Sequence, residues 1–275
     1  MSRGGTRRAV AWTVLCVWVG VIAWNARREL FRPAAERLAL GAATLPPGVA
    51  YYFIDSGLQA AGWASIEFDT LAGRSGFLIR EQYDVRLPGL GEAGHVETRG
   101  QTWLDARVEL DSLSRSIVRG SDTVLIWAAV RGDSLDWRSS GDPEGIRLPA
   151  AEGLQIAASW PLRFAASGGA ADGEIRRLTL FDPISGTLRE VDVRSRGASV
   201  RVFADSADTD PESGEWFIAG RDTVNAWWVE EVGGTAAPTW VDEDGRILEA
   251  DLPGALRLRR TAFELAFFRN ESIDE

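Results

Sequence analysis

The stretch Thr239-Trp240-Val241-Asp242-Glu243-Asp244-Gly245-Arg246-Ile247-Leu248-Glu249-Ala250-Asp251, followed by Leu256-Arg257-Leu258-Arg259-Arg260-Thr261, decides how this chain is read. It has the form of two strands around a tight acidic turn, then a third strand. Glycine in the last turn position supplies the positive φ of a short hairpin loop, and Asp and Glu tolerate the turn geometry before it. The same grammar recurs outward from this point. Asp182-Pro183-Ile184-Ser185-Gly186 is turn chemistry, and beyond it Val191 and Val193 alternate with Glu190, Asp192 and Arg194, the pattern of a sheet with one wet face. Arg131-Gly132-Asp133 spells an adhesion tripeptide, but it sits where the strands at residues 121–130 and 134–138 need a turn.

Further strands are read at residues 51–54 and 61–68 around Asp55-Ser56-Gly57, at 76–87, within 96–110, and at 174–181 and 187–195. More follow at 199–203, 215–219 and 223–231. Residues 143–159 break the rhythm with Pro, Gly and Ala, include a short helix at 150–158, and mark the middle of the domain. Residues 263–268 end it as a strand or a short helix. Strands this numerous, joined by short turns, predict a mainly β fold: a large curved antiparallel sheet or partial barrel.

Composition narrows the class. The 275 residues suffice for one large core, and all 30 basic residues are arginine. Of these, 23 follow Pro46 together with 38 of the 40 acids, so the body carries a charge near −15. Such a surface repels phosphate backbones, which argues against nucleic acid as a partner. The single cysteine, Cys16, allows neither a disulfide framework nor a Cys-based zinc site within one chain.

Cys16 lies in the uncharged run of residues 9–24, which is flanked by Arg7, Arg8, Arg27 and Arg28. As a helix it reaches about 24 Å, a little short of a bilayer core of roughly 30 Å, and the flanking arginines can snorkel. The segment ends Ala23-Trp24-Asn25-Ala26-Arg27, a poor match to a signal-peptidase site. It is read as an uncleaved signal anchor. The expected organisation is a membrane anchor at 1–25, a juxtamembrane helix or linker at 26–47, a β domain at 48–268 and a frayed tail at 269–275. The expected location is the bacterial inner membrane, single-pass through residues 9–24, with the body on the extracytoplasmic, periplasmic side.

Parts for catalysis are scarce. The only histidine, His95, falls in the loop-like stretch GLGEAGHVE, no Gly-x-Ser-x-Gly elbow exists, and Cys16 belongs to the anchor. With 38 acids in the body some close carboxylate pair is inevitable, so such a pair carries no specificity. The acidic loop of residues 205–214 lacks EF-hand spacing and contains Pro211, so it reads as a solvated turn. No catalytic residue, metal or cofactor is assigned.

Tryptophan is the unusual commodity, with 12 in the chain. Trp63, Trp103, Trp127, Trp227, Trp228 and Trp240 are the candidate ligand-binding residues, because rings on strands can line one face of a sheet. Adjacent Trp227 and Trp228 must point to opposite sides.

The Tyr-rich first strand with its glycine hairpin (Tyr51 to Trp63), the turn Phe181-Asp182-Pro183 and the motif formed by Trp240, Asp242, Gly245, Ile247 and Leu248 together resemble a family of uncharacterised bacterial envelope β-sheet domains. The resemblance extends to transglutaminase-associated domains and, distantly, to the curled sheet of lipoprotein carriers (LolA-like). It implies an envelope β domain that binds or scaffolds. The function expected is a membrane-anchored, non-catalytic extracytoplasmic domain binding a partner protein or an apolar, lipid-like ligand in its concavity. The alternatives are a carboxylate-dependent hydrolase acting on envelope glycan and a structural component of an envelope assembly.

Overall fold

The computed structural model describes residues 14–25, 27, 32–57, 59–73, 75–87, 94–233, 238–252 and 254–268. It separates into two compact units, Met1–Arg37 and Leu38–Glu275. In the first, residues 14–25 are helical, with Val14, Trp18 and Trp24 exposed. Twelve helical residues cover about 18 Å. No helix among the described residues is long and apolar enough to cross a membrane. Residues 9–13 of the expected anchor, and the tail at 269–275, lie outside the described residues.

The second unit is one sheet of 15 strands. In chain order these are β1 (Gly48–Ser56), β2 (Gln59–Thr70), β3 (Gly76–Arg86), β4 (His95–Asp105), β5 (Leu110–Arg119), β6 (Asp122–Arg131), β7 (Ser134–Ser139) and β8 (Asp142–Pro149). After β9 (Leu154–Gln155) come β10 (Ile175–Asp182), β11 (Thr187–Thr209), β12 (Trp216–Glu231), β13 (Thr239–Asp242), β14 (Ile247–Leu252) and β15 (Leu256–Thr261). Three helices accompany them: α1 (Ala34–Ala42), α2 (Trp160–Ala166) and α3 (Phe263–Phe267). The spatial order runs β8 to β1, then β15 down to β9, and every pairing is antiparallel except β9 with β10. The first and last strands therefore meet in the middle, where Tyr52 pairs with Arg260 and Ile54 with Leu258.

This order forces the sheet to roll. The chain leaves one edge at Pro149 and joins the other at Leu154, a link that can span at most about 18 Å. Fifteen flat strands would hold those edges roughly 67 Å apart. The stretch expected to mark the middle of the domain is thus the point where the chain passes between edges. It also contains β8, a strand where none was expected. As an edge strand β8 tolerates Pro149, and Gly145, at φ 69, lies where its ladder with β7 shifts register.

The roll overlaps without closing into a barrel. On the inner face Ile79, Leu104, Leu113, Ile126, Ala128, Leu135 and Trp137 form a cluster that also contains Phe181 of β10. Leu178, Val191 and Val193, which lie on the opposite face of β10 and β11 from Phe181, pack instead with Phe164 and Val229. One edge of the sheet is therefore tucked beneath the other. The helix expected at 150–158 is displaced to α2, where Pro161 occupies the first turn. It fills the inside of the roll: Leu162, Ala165 and Ala166 join the first cluster and Phe164 the second. Leu38, Ala42 and Leu45, from the expected linker, pack on the same core.

The hairpin that opened the sequence reading is built on Asp242, which is 1% exposed. Its carboxylate accepts the backbone N–H groups of Asp244 (3.0 Å) and Arg246 (2.7 Å) and the Arg260 guanidinium (2.7 Å). Gly245 takes φ 76, and a Cβ there would come within 2.6 Å of Leu162 Cα in α2. The turn thus needs glycine both for its conformation and for the approach of the interior helix.

Candidate binding face

The interior of the roll is occupied. Besides α2 it holds a polar row made possible by Gly100, which pairs with Glu81 on one side and Arg115 on the other. With no side chain between them, Arg115 Nη2 reaches across β4 to Glu81 Oε2 at 2.7 Å. Glu81 Oε1 accepts the Tyr83 hydroxyl at 3.1 Å. Burial, reinforced by the Glu81 charge, holds the Tyr83 phenol well above its ordinary value. Burial also raises Tyr52, against the opposing pull of Arg260. The Asp242 carboxyl is pushed up by burial, with the Arg246 N–H and Arg260 pulling the other way. The Glu81, Asp242 and Glu109 carboxylates each meet an arginine, and Gln155 of β9 is fully buried with neither amide atom bonded among the described residues. Helix α2 and these groups occupy much of the concavity in which the ligand site is expected.

The outer face of β3–β7 is open, while α3 covers Tyr51 and Trp63 at the β1–β2 end. Two adjoining grooves lie on it, of about 590 and 740 Å³, and they share Ser114 and Trp127. Strand register arranges their floor in rows. Glu67, Arg80, Gln101, Ser114, Trp127 and Arg138 face one another across successive strands. A parallel row carries Ser65, Gln82, Arg99 and Ser116. Trp103 pairs with Ser112 and Trp127 with Ser114, so the two rings flank β5. Strand spacing puts their Cα atoms about 12 Å apart.

The chemistry of this face is that of a neutral polar surface with aromatic platforms. Ser65, Gln82, Gln101, Ser114 and Ser116 have no side-chain partner within the described residues. The charges are largely compensated: Arg80 pairs with Glu67 at 2.7 Å, Arg99 with Glu97 at 2.5 Å, and Arg147 with Asp136 at 2.6 Å. Of the carboxylates beside the first groove, Glu67 is held by Arg80 and Glu81 by Arg115. The arrangement offers stacking and hydrogen bonding rather than a free acid and base.

The other tryptophans are dispersed. Trp63 lies under Phe267 of α3 with ring centroids 4.2 Å apart. Trp227 faces inward against Phe164 at 5.7 Å, while Trp228 faces outward against Trp240 at 5.2 Å, so the adjacent pair does divide between the two sides. Arg201 covers the Trp240 ring at 4.2 Å. Of the six candidates, only Trp103 and Trp127 come together on a groove. Gln82, Gln101 and the serines escaped sequence reading, since only the register shows that they share a face with those rings.

His95 begins β4 and its Nε2 lies 3.0 Å from Asp84 Oδ1, on the surface. In the acidic loop, Asp210 accepts the backbone N–H groups of Glu212 (2.7 Å) and Ser213 (3.0 Å), which pulls its carboxyl below the usual range. Its role there is to form the turn.

No family model matches the sequence, and no curated protein does. Among solved structures the chain is similar to a β-barrel-like protein of DUF1849, a domain of unknown function, from Brucella abortus. The TM-score is 0.51 at 15% identity, over 79% of this chain and 97% of that one. A DUF1089 family protein from Pseudomonas aeruginosa aligns with a TM-score of 0.41 at 15% identity, over 72% and 91% of the two chains. The first likeness shows the fold: mainly β, a large curved sheet of the barrel-like kind.

Proposed function

We propose that this protein is a non-catalytic binding domain that takes an extended, neutral, hydroxyl-rich ligand, an oligosaccharide, across the outer face of β3–β7. The observation that carries this reading is the joint placement of Trp103 and Trp127 on one groove beside unpartnered amides and hydroxyls. Flat aromatic rings stack on the C–H face of a sugar, and Gln82, Gln101, Ser114 and Ser116 supply donors and acceptors for its hydroxyls. Charge compensation on the floor favours an uncharged chain over a polyanion. An apolar lipid chain would want an enclosed cavity, and the interior is filled by α2.

Residues 9–24 remain the proposed membrane anchor, with the body, and so this face, proposed to lie on the extracytoplasmic side. There an envelope glycan is a ligand of the right chemistry. Titration with a soluble N-acetylglucosamine oligomer, followed by tryptophan fluorescence, tests the reading. Binding lost on replacing Trp103 and Trp127 supports it, and an unchanged signal counts against it.

A further inference from the structure

The two rows on the floor of the first groove continue past β3 to β1. Through Glu67 the first row reaches Val49, and through Ser65 the second reaches Tyr51. At the other end, on β6, the first row arrives at Trp127 and the second at Leu125. The ladders that carry these rows slip only elsewhere, so both run unbroken from β1 to β6. Each row is apolar at its two ends and polar at the four positions between. Val49, Tyr51, Leu125 and Trp127 all line the groove.

Val49, Leu125 and Trp127 are exposed, whereas Tyr51 is half-buried because α3 backs it. The rings of Phe263 and Phe267 stand edge-on to Tyr51 with centroids 5.0 and 6.0 Å away, and the remaining surface of Tyr51 faces the groove. A ring braced in this way loses little conformational entropy when a ligand settles against it.

We infer that Tyr51 is a third aromatic platform of the binding face, at the opposite end of the groove from Trp127, and that the ligand runs across the strands from β6 to β1. This rests on the oligosaccharide reading and adds a length and a direction to it. Strands β1 and β6 are five strand spacings, about 24 Å, apart, the reach of about five β-linked hexoses. The two rows lie two residues, about 7 Å, apart along the strands, about the width of one sugar ring. The end units then meet Tyr51 and Trp127, and the units between meet amides, hydroxyls and the compensated Arg80–Glu67 pair. A chain of two units engages Trp127 and falls short of Tyr51.

The test titrates the full chain, in detergent micelles, with N-acetylglucosamine oligomers from dimer to hexamer and reads the affinity by calorimetry. Wild-type affinity is expected to rise with each added unit to about the pentamer and then level off. Tyr51→Ala should weaken pentamer binding about fivefold or more, the contribution of one stacked ring, and leave dimer binding unchanged. Ser65→Arg, which fills the groove beside Tyr51 and leaves the packing of α3 in place, should do the same. Affinity that stops rising at the dimer, or Tyr51→Ala weakening dimer and pentamer equally while Ser65→Arg weakens neither, would overturn the reach to Tyr51 and leave the Trp103 and Trp127 face standing. Absence of binding by every oligomer would overturn both.

Discussion

The indole Nε1 of Trp137 donates a hydrogen bond of 2.9 Å to the carbonyl oxygen of Pro183 across the overlap of the rolled sheet. Trp137 belongs to β7, next to one edge, and Pro183 to the β10–β11 turn, next to the other. Gly186 of that turn, at φ 67, lies so close that a Cβ would sit 3.0 Å from the indole ring. The roll is therefore latched by a side-chain bond where a closed barrel would use a strand ladder. Trp137→Phe keeps most of the packing but orphans the Pro183 carbonyl, at a cost of about 1–3 kcal/mol. Trp137→Ala adds a cavity and is expected to cost about 3–5 kcal/mol. Urea unfolding at constant m-value checks both.

The ion pair over Gly100 predicts strong non-additivity. Arg115→Met leaves the Glu81 carboxylate buried without its cation, and a loss of about 3–5 kcal/mol is expected. Replacing both, as Glu81→Leu with Arg115→Met, removes the uncompensated charge, so the double variant should be clearly more stable than Arg115→Met alone. A double variant as unstable as the sum of the singles would show that the pair is not coupled.

At the opening hairpin, Asp242→Ala removes the acceptor of two turn N–H groups and of Arg260. A loss of about 2–4 kcal/mol is expected. Asp242→Asn keeps an acceptor and should cost less. Burial raises the folded-state value of this carboxyl above its ordinary 3.8. Its contribution to stability is thus full below about pH 4 and falls as pH climbs through the raised value. Asp242→Asn lacks that slope, so the stability difference between it and wild type, measured from pH 3 to 7, should shift steadily in favour of Asn.

Tyr52 and Tyr83 should resist ionisation. Their folded values lie above the ordinary 10.0 because burial disfavours the phenolate. The stability they lend is full below about pH 10 and is lost as pH rises toward the folded values. Tyrosinate absorbance from both should therefore appear together with loss of sheet circular dichroism, and in Tyr83→Phe the unfolding should move to higher pH. Smooth titration of both residues in the folded protein would contradict the account.

Much of this fold was legible in residues that act locally. The Asp-Pro turn at 182–186, the Arg131-Gly132-Asp133 turn and the Asp242–Gly245 turn all appear where glycine and acid spacing put them, because a turn is decided within four residues. The rolled edge was not legible, since it depends on β1 meeting β15 and on Phe181 and Val191 serving opposite faces. The hairpin of β11 and β12 reads in the sequence as short pieces at 187–195, 199–203, 215–219 and 223–231, with the acidic stretch 205–214 as a loop, although residues 205–209 belong to β11. In the structure Ala204, Ser206 and Ala207 sit at bulges in one continuous ladder. The tryptophans could be counted in the sequence, but only strand register separates Trp103 and Trp127, on an open face, from Trp63 and Trp227, which pack against Phe267 and Phe164.

Calorimetric titration of the folded protein with a soluble N-acetylglucosamine tetramer tests the central claim most directly. The account predicts saturable binding that is abolished, by at least about tenfold in affinity, in Trp103→Ala/Trp127→Ala, since each stacked ring contributes on the order of 1 kcal/mol or more. Trp228→Ala, on the outer face away from the groove, should bind as wild type does. Absence of binding by the wild type at millimolar oligosaccharide, or undiminished binding by the Trp103/Trp127 double variant, would contradict it.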